Sequence, residues 1–120
     1  MTTETSIEVT DASFDTEVLM HHRPVFVDFW ASWCPPCLVM EPIVDRLAVE
    51  YEGRIRVAKV NVDRNRGLAD RLNIKGLPTY MMFAGGASTG SLTAAQTERK
   101  LRGLIDEALI AGGPEGDTDG

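Results

Sequence analysis

Cysteine is scarce in this chain: its 120 residues hold two, Cys34 and Cys37. A disulfide-stapled scaffold needs four or more, and a structural zinc site needs four ligands, so one chain supplies neither. Histidine is equally rare, and His21 and His22 are adjacent. They read as surface residues at the end of a first helix, not as partners of the cysteines around a metal. No long apolar run is present either. The longest, Tyr80 to Ala84, is far short of the roughly 18 residues of a membrane span. The first twenty positions carry Glu4, Glu8, Asp11, Asp15 and Glu17 but no Lys or Arg. They have neither the basic start nor the apolar middle of a secretory signal, so a cytoplasmic setting is expected.

What remains is an ordinary globular composition, with 43% apolar and 25% charged residues. That balance suits one compact soluble domain with a real core. The formal charge of −6 is concentrated at the ends. Residues 1–17 hold five acids and no base, and Glu115, Asp117 and Asp119 lie near the other end. The span Arg54 to Lys75 runs the other way, with seven bases against Asp63 and Asp70. It reads as a solvated face, because phosphate binders gather denser charge and interleave aromatics. No nucleic-acid or membrane partner is expected, and the domain is expected to act as a monomer.

Cys34 and Cys37 sit in Trp33-Cys34-Pro35-Pro36-Cys37, a pair able to close on itself. Such a pair is a redox motif when it opens a helix in an α/β unit. The flanking residues predict that setting. Val25 to Trp30 is a β-branched and aromatic run, as in a strand buried on both faces. From Leu38 the apolar positions Met40, Ile43, Val44, Leu47, Ala48 and Tyr51 follow a helical period until Gly53. Pro35 and Pro36 suit a first helical turn, and Pro42 predicts a kink. Ile55 to Val62 and Tyr80 to Ala84 predict strands, Ile7 to Val9 an edge strand, and Gly67 to Leu72 a short helix. Asp11 or Ser13 is expected to cap a helix through Met20, and Thr93 with Gln96 to form a capping box for a helix through Ile110. The region between, Ala87 to Ala95, predicts a short last strand at most.

The chemistry depends on these placements. Disulfide exchange needs one thiolate to attack and a second thiol to resolve the mixed disulfide. Cys34, at the positive end of the helix dipole, is the expected nucleophile, and Cys37, one turn in and better shielded, the resolving thiol. Asp28 interrupts an apolar strand, where a carboxylate is costly. Either its charge reaches solvent at the sheet edge, or it is a buried acid of raised pKa that takes the proton of Cys37; the second is preferred. Trp33 offers a flat apolar surface for a client, or else ordinary packing.

Three segments together resemble the thioredoxin family: Val-Asp-Phe-Trp-Ala-Ser-Trp-Cys-Pro-Pro-Cys at 27–37, Val-Ala-Lys-Val-Asn-Val-Asp at 57–63 and Gly-Leu-Pro-Thr at 76–79. The resemblance extends over residues 7–111 as one domain, with residues 1–6 and 112–120 as loose acidic ends. It implies the thioredoxin fold, an α/β architecture with a central mixed β-sheet flanked by helices. It also implies a protein-disulfide reductase that needs no bound cofactor beyond the Cys34–Cys37 disulfide and is recharged by thioredoxin reductase. Lys59, at the family's matching position, would moderate the pKa of Asp28, or else is a solvent-facing strand lysine. A cis peptide bond at Pro78 would set the backbone of Leu77 against an extended client, so that Trp33, Pro35, Pro36, Leu77 and Pro78 form the client face. The chain departs from the commonest pattern in having Pro35 where Gly is usual and Leu38 where Lys is frequent. It also has no β-branched strand with a following Gly in Ala87 to Ala95.

Rival readings are a dedicated oxidase or isomerase, a client-specific redox protein, a redox-silent interaction domain, and a dimer pooling four cysteines around zinc or an iron–sulfur cluster.

Overall fold

The computed structural model describes residues 5–112, so most of the two acidic ends lies outside the described residues. Strands β1 (Ser6–Glu8), β2 (Val25–Trp30), β3 (Arg56–Asn61), β4 (Thr79–Ala84) and β5 (Ala87–Thr93) form one sheet in the order β1-β3-β2-β4-β5. β1, β3 and β2 run parallel, whereas β4 pairs antiparallel with both β2 and β5. Helices α1 (Pro35–Glu50), α2 (Arg66–Arg71) and α3 (Glu98–Gly112) accompany the sheet, together with a π-helical turn at Asp15–Leu19.

Strand alternation divides the core between the two faces of the sheet. Phe26, Val57, Tyr80 and Met82 pack beneath Met40, Val44 and Leu47 of α1 and Leu101 and Ile105 of α3. Val25, Val27, Phe29, Val60 and Phe83 point the other way, toward Phe14, Val18 and Leu68. Because β2 is central and covered on both sides, all its residues but Trp30 are buried, Asp28 included.

Several local expectations are corrected. Asp11 does not cap a helix of its own segment: its Oδ1 accepts the Leu68 amide at 2.7 Å, and its amide donates to Asn65 Oδ1 at 2.9 Å, so it holds the start of α2 from across the fold. Ser13 Oγ accepts the Thr10 amide in a tight turn instead of opening a helix. The turn at Asp15–Leu19 is wider than an α-helix, with Met20 N–H donating to Asp15 O. The Thr93–Gln96 capping box does not form, because Thr93 is committed to β5 opposite Thr79. The Gln96 side-chain amide turns back to the Thr93 carbonyl, and the Thr97 hydroxyl accepts the Lys100 amide at the start of α3. Nor is the last strand short. β5 has seven residues, with Thr89 bulged between the pairs Phe83–Ser88 and Met82–Gly90. Small and polar side chains suffice there because most of the strand is exposed. α1 continues through Pro42 to Glu50, and Gly53 adopts φ +91° in the turn after it.

Candidate functional site

β2 and β3 end, and β4 begins, at the same end of the sheet's strands, where Phe29 pairs with Thr79 and Trp30 with Asn61. Loops leaving the carboxyl ends of parallel strands are where α/β sheets place their chemistry. β2 leads through Ala31, Ser32 and Trp33 to Cys34, the N-cap residue of α1. Pro35 and Pro36 occupy the first two helical positions, where no intrahelical acceptor awaits an amide. The first amide beyond the prolines belongs to Cys37, and it donates to Cys34 Sγ at 3.3 Å. Cys34 and Cys37 are joined as a disulfide.

Exposure does not rank the two sulfurs as expected, since Cys34 is 3% and Cys37 5% exposed. Ala31, Trp30, Val62 and Leu77 close around the disulfide. The distinction lies in access. A groove of about 480 Å³ is lined by Trp33, Cys34, Pro35 and Pro36 on one side and by Val62, Ile74 and Leu77 on the other. Cys34 borders it and Cys37 does not. Trp33 is 64% exposed, and its indole donates to Asp63 Oδ2 at 2.7 Å, which fixes the ring at the groove mouth. Leu38 and Val39 extend the exposed apolar rim along α1.

Leu77–Pro78 is a cis peptide, with Pro78 buried and its carbonyl accepting the Ala94 amide at 2.7 Å. Ala94, just after β5, has φ +79°.

Asp28 lies in the same strand layer. Its carboxyl is buried, with Oδ1 lacking any hydrogen-bond partner. Burial pushes its pKa up to about 7, opposed by the positive charge of Lys59 and aided by Glu41 and Asp45. Lys59 pairs in register with Asp28, yet its ammonium is bonded to Asp45 at 2.8 Å and lies 3.7 Å from Glu41. It acts on Asp28 through space, without a direct contact.

Sequence reasoning misses some of the groove. Asp63, Arg66, Asp70 and Lys75 read only as parts of a solvated charged stretch, yet all four line it. Their approach depends on the turn after β3 and on α2, which composition does not reveal. The rings of His21 and His22 lie 4.6 Å apart at a tilt of 51°, and burial lowers the pKa of His21. Among the described residues no three potential ligands converge on one point, and no helix is long and apolar enough to cross a membrane.

Comparison with known proteins agrees with this geometry. The family model described as Thioredoxin matches residues 5–107. Thioredoxin 1 of Nostoc sp. is 42% identical over 102 residues, 85% of this chain and 95% of its own length. The thioredoxin of Chlorobaculum thiosulfatiphilum is 40% identical over 85% of this chain and 94% of its own. That of Pseudomonas aeruginosa is 37% identical over 83% and 93%. With both cysteines engaged in one intrachain disulfide, a metal-bridging dimer is not favoured. The shared sequence spans the sheet, the cysteine pair and the proline loop together, and on that ground the chain belongs to the thioredoxin family of protein thiol–disulfide oxidoreductases.

Proposed function

We propose that the chain, acting as the single domain 7–111, reduces disulfides of client proteins in the cytoplasm with Cys34 as nucleophile, and that thioredoxin reductase returns it to the dithiol. The observation that carries the division of roles is that Cys34 alone of the two cysteines borders the groove. In the reduced form the α1 dipole and the Cys37 amide favour a Cys34 thiolate. That thiolate attacks one sulfur of the client disulfide, and the client's other sulfur leaves as a thiolate. Asp28, ionised at that stage, takes the proton of Cys37 directly or through water. The Cys37 thiolate then attacks Cys34 Sγ, closing the Cys34–Cys37 disulfide and releasing the second client sulfur. The client gains two electrons and this chain loses two. Lys59 keeps Asp28 from becoming too weak an acid to ionise.

The client lies along Trp33, Pro35, Pro36, Leu77 and Pro78. Among the described residues Leu77 makes no backbone hydrogen bond, which leaves its amide and carbonyl to pair with an extended segment. Backbone pairing of this kind tolerates many client sequences.

Cys37→Ser tests the reading, because Cys34 can still attack but nothing resolves the product. Mixed with a disulfide-bearing protein such as insulin, the variant should accumulate a covalent adduct that dithiothreitol releases and that Cys34→Ser/Cys37→Ser does not form. Mass spectrometry is the readout. Absence of a Cys34-linked adduct would overturn the assignment.

A further inference from the structure

Buried polar atoms in native proteins nearly always have hydrogen-bond partners, so those without one call for an account. Among the described residues three side-chain atoms are in that position: His21 Nε2, Asp28 Oδ1 and Tyr80 OH. Two of the three belong to cross-strand neighbours. The antiparallel register of β2 and β4 sets Asp28 directly opposite Tyr80. Residues so paired leave the same face of a sheet with Cβ atoms about 4.5–5.5 Å apart. Phe26, two positions along β2 on that face, packs its ring against Tyr80 at 5.6 Å, which holds the phenol in this layer.

The two groups are chemically complementary, since a phenol donates and a carboxylate accepts. We propose that Tyr80 is a positioning residue for Asp28, turning its hydroxyl proton toward the carboxylate, in contact or across one water, whenever Asp28 ionises. Tyr80 is suited to donate and not to accept, because burial and the neighbouring carboxyl push the phenol further above its ordinary pKa. Other charges around Asp28 do not supply this donor. Lys59 on β3 is bonded to Asp45, Glu41 and Asp45 on α1 are themselves acids, and the α3 residues packed in this layer, Leu101, Leu104 and Ile105, are apolar. Tyr80 thereby favours the ionised form that must accept the Cys37 proton. In its catalytic consequence this rests on the proton-acceptor reading of Asp28, but the coupling itself does not.

The experiment is Tyr80→Phe, which keeps the ring and removes the hydroxyl. The Asp28 carboxyl is followed by carbon NMR across pH 5 to 10 in the oxidised protein, where neither cysteine titrates, and Asp28→Asn identifies the signal. The titration midpoint should rise by about one pH unit, the size of one charge-assisted hydrogen bond. The stability cost of Tyr80→Phe in urea should also be larger at pH 9 than at pH 5, a dependence that lost packing alone would not produce. A raised midpoint supports the proposal whether or not Asp28 serves turnover, since turnover of Asp28→Asn tests that separately. A lowered midpoint, or an unmoved one with a pH-independent stability change, would overturn it.

Discussion

Asp28 is a carboxyl held where its charge is costly, and the cost has a direction in pH. Its pKa is raised from 3.8 to about 7, so the native state keeps a proton that the unfolded chain has released. This group's contribution is therefore full below about pH 4 and is lost as pH climbs toward 7. Asp28→Asn does not titrate. Its stability advantage over the natural chain should grow by roughly 3 kcal/mol from pH 5 to pH 8, because each pH unit between the unfolded and folded pKa values costs the natural chain about 1.4 kcal/mol. Paired urea titrations at the two pH values check this, and a constant gap would mean that Asp28 is ionised throughout. A second residue is strained in its backbone. Ala94 has φ +79°, a region that disfavours a Cβ. Ala94→Gly relieves that clash at the expense of a more flexible unfolded chain, so it should stabilise the fold by about 0.5 kcal/mol, read as a higher melting temperature. Residues differ in how visible they are before folding. An acid in the middle of Val-Phe-Val-Asp-Phe-Trp announces itself by breaking an apolar run. Tyr80 does not, because tyrosine is an ordinary strand residue and its polar end matters only once the register with β2 is known.

Elements show a similar division. β2, α1 and β4 are legible because each carries a strong hydrophobic period or run, and together they hold Asp28 and the cysteine pair, with β4 starting directly after Pro78. The ends of helices are less so, because a capping side chain can come from far away. Asp11 and Leu68 are 57 positions apart, yet Asp11 Oδ1 receives the Leu68 amide. No local pattern encodes that contact. Asp11→Ala should therefore cost about 1 kcal/mol, the usual loss for a helix cap, whereas Asp11→Asn retains most of it. Because Arg66, Ala69 and Asp70 of α2 line the groove, a frayed α2 should raise KM for clients more than it lowers kcat. Chemical denaturation and steady-state kinetics on the same variants separate the two effects. Equal stability of Asp11→Ala and the natural chain would show that the long-range cap is not formed in solution.

Over the whole molecule, the disulfide is a small constraint on a large core. The bridge closes a sequence separation of three. On the chain-entropy account, so short a loop restricts the unfolded state by only about 2 kcal/mol. The buried layers on both faces of the sheet do not depend on it. The reduced protein should keep its far-ultraviolet circular dichroism and melt lower by on the order of 10 °C. Unfolding on addition of dithiothreitol would contradict this, and a carrier that must persist in both redox states requires that it not occur.

The outer strand β5 carries no charged side chain over its seven residues and is mostly exposed. A long, flat, uncharged edge invites backbone pairing with another copy, the first step toward aggregation. The bulge at Thr89 splits the ladder to β4 into two short stretches and twists the strand between them. A template for a second copy is thus broken near its middle. β1, at the other edge, has three residues and offers little to pair with. Protection from self-association is therefore built into backbone shape at one edge and brevity at the other, which leaves the exposed side chains of β5, such as Ser88, Thr89 and Ser91, free to change.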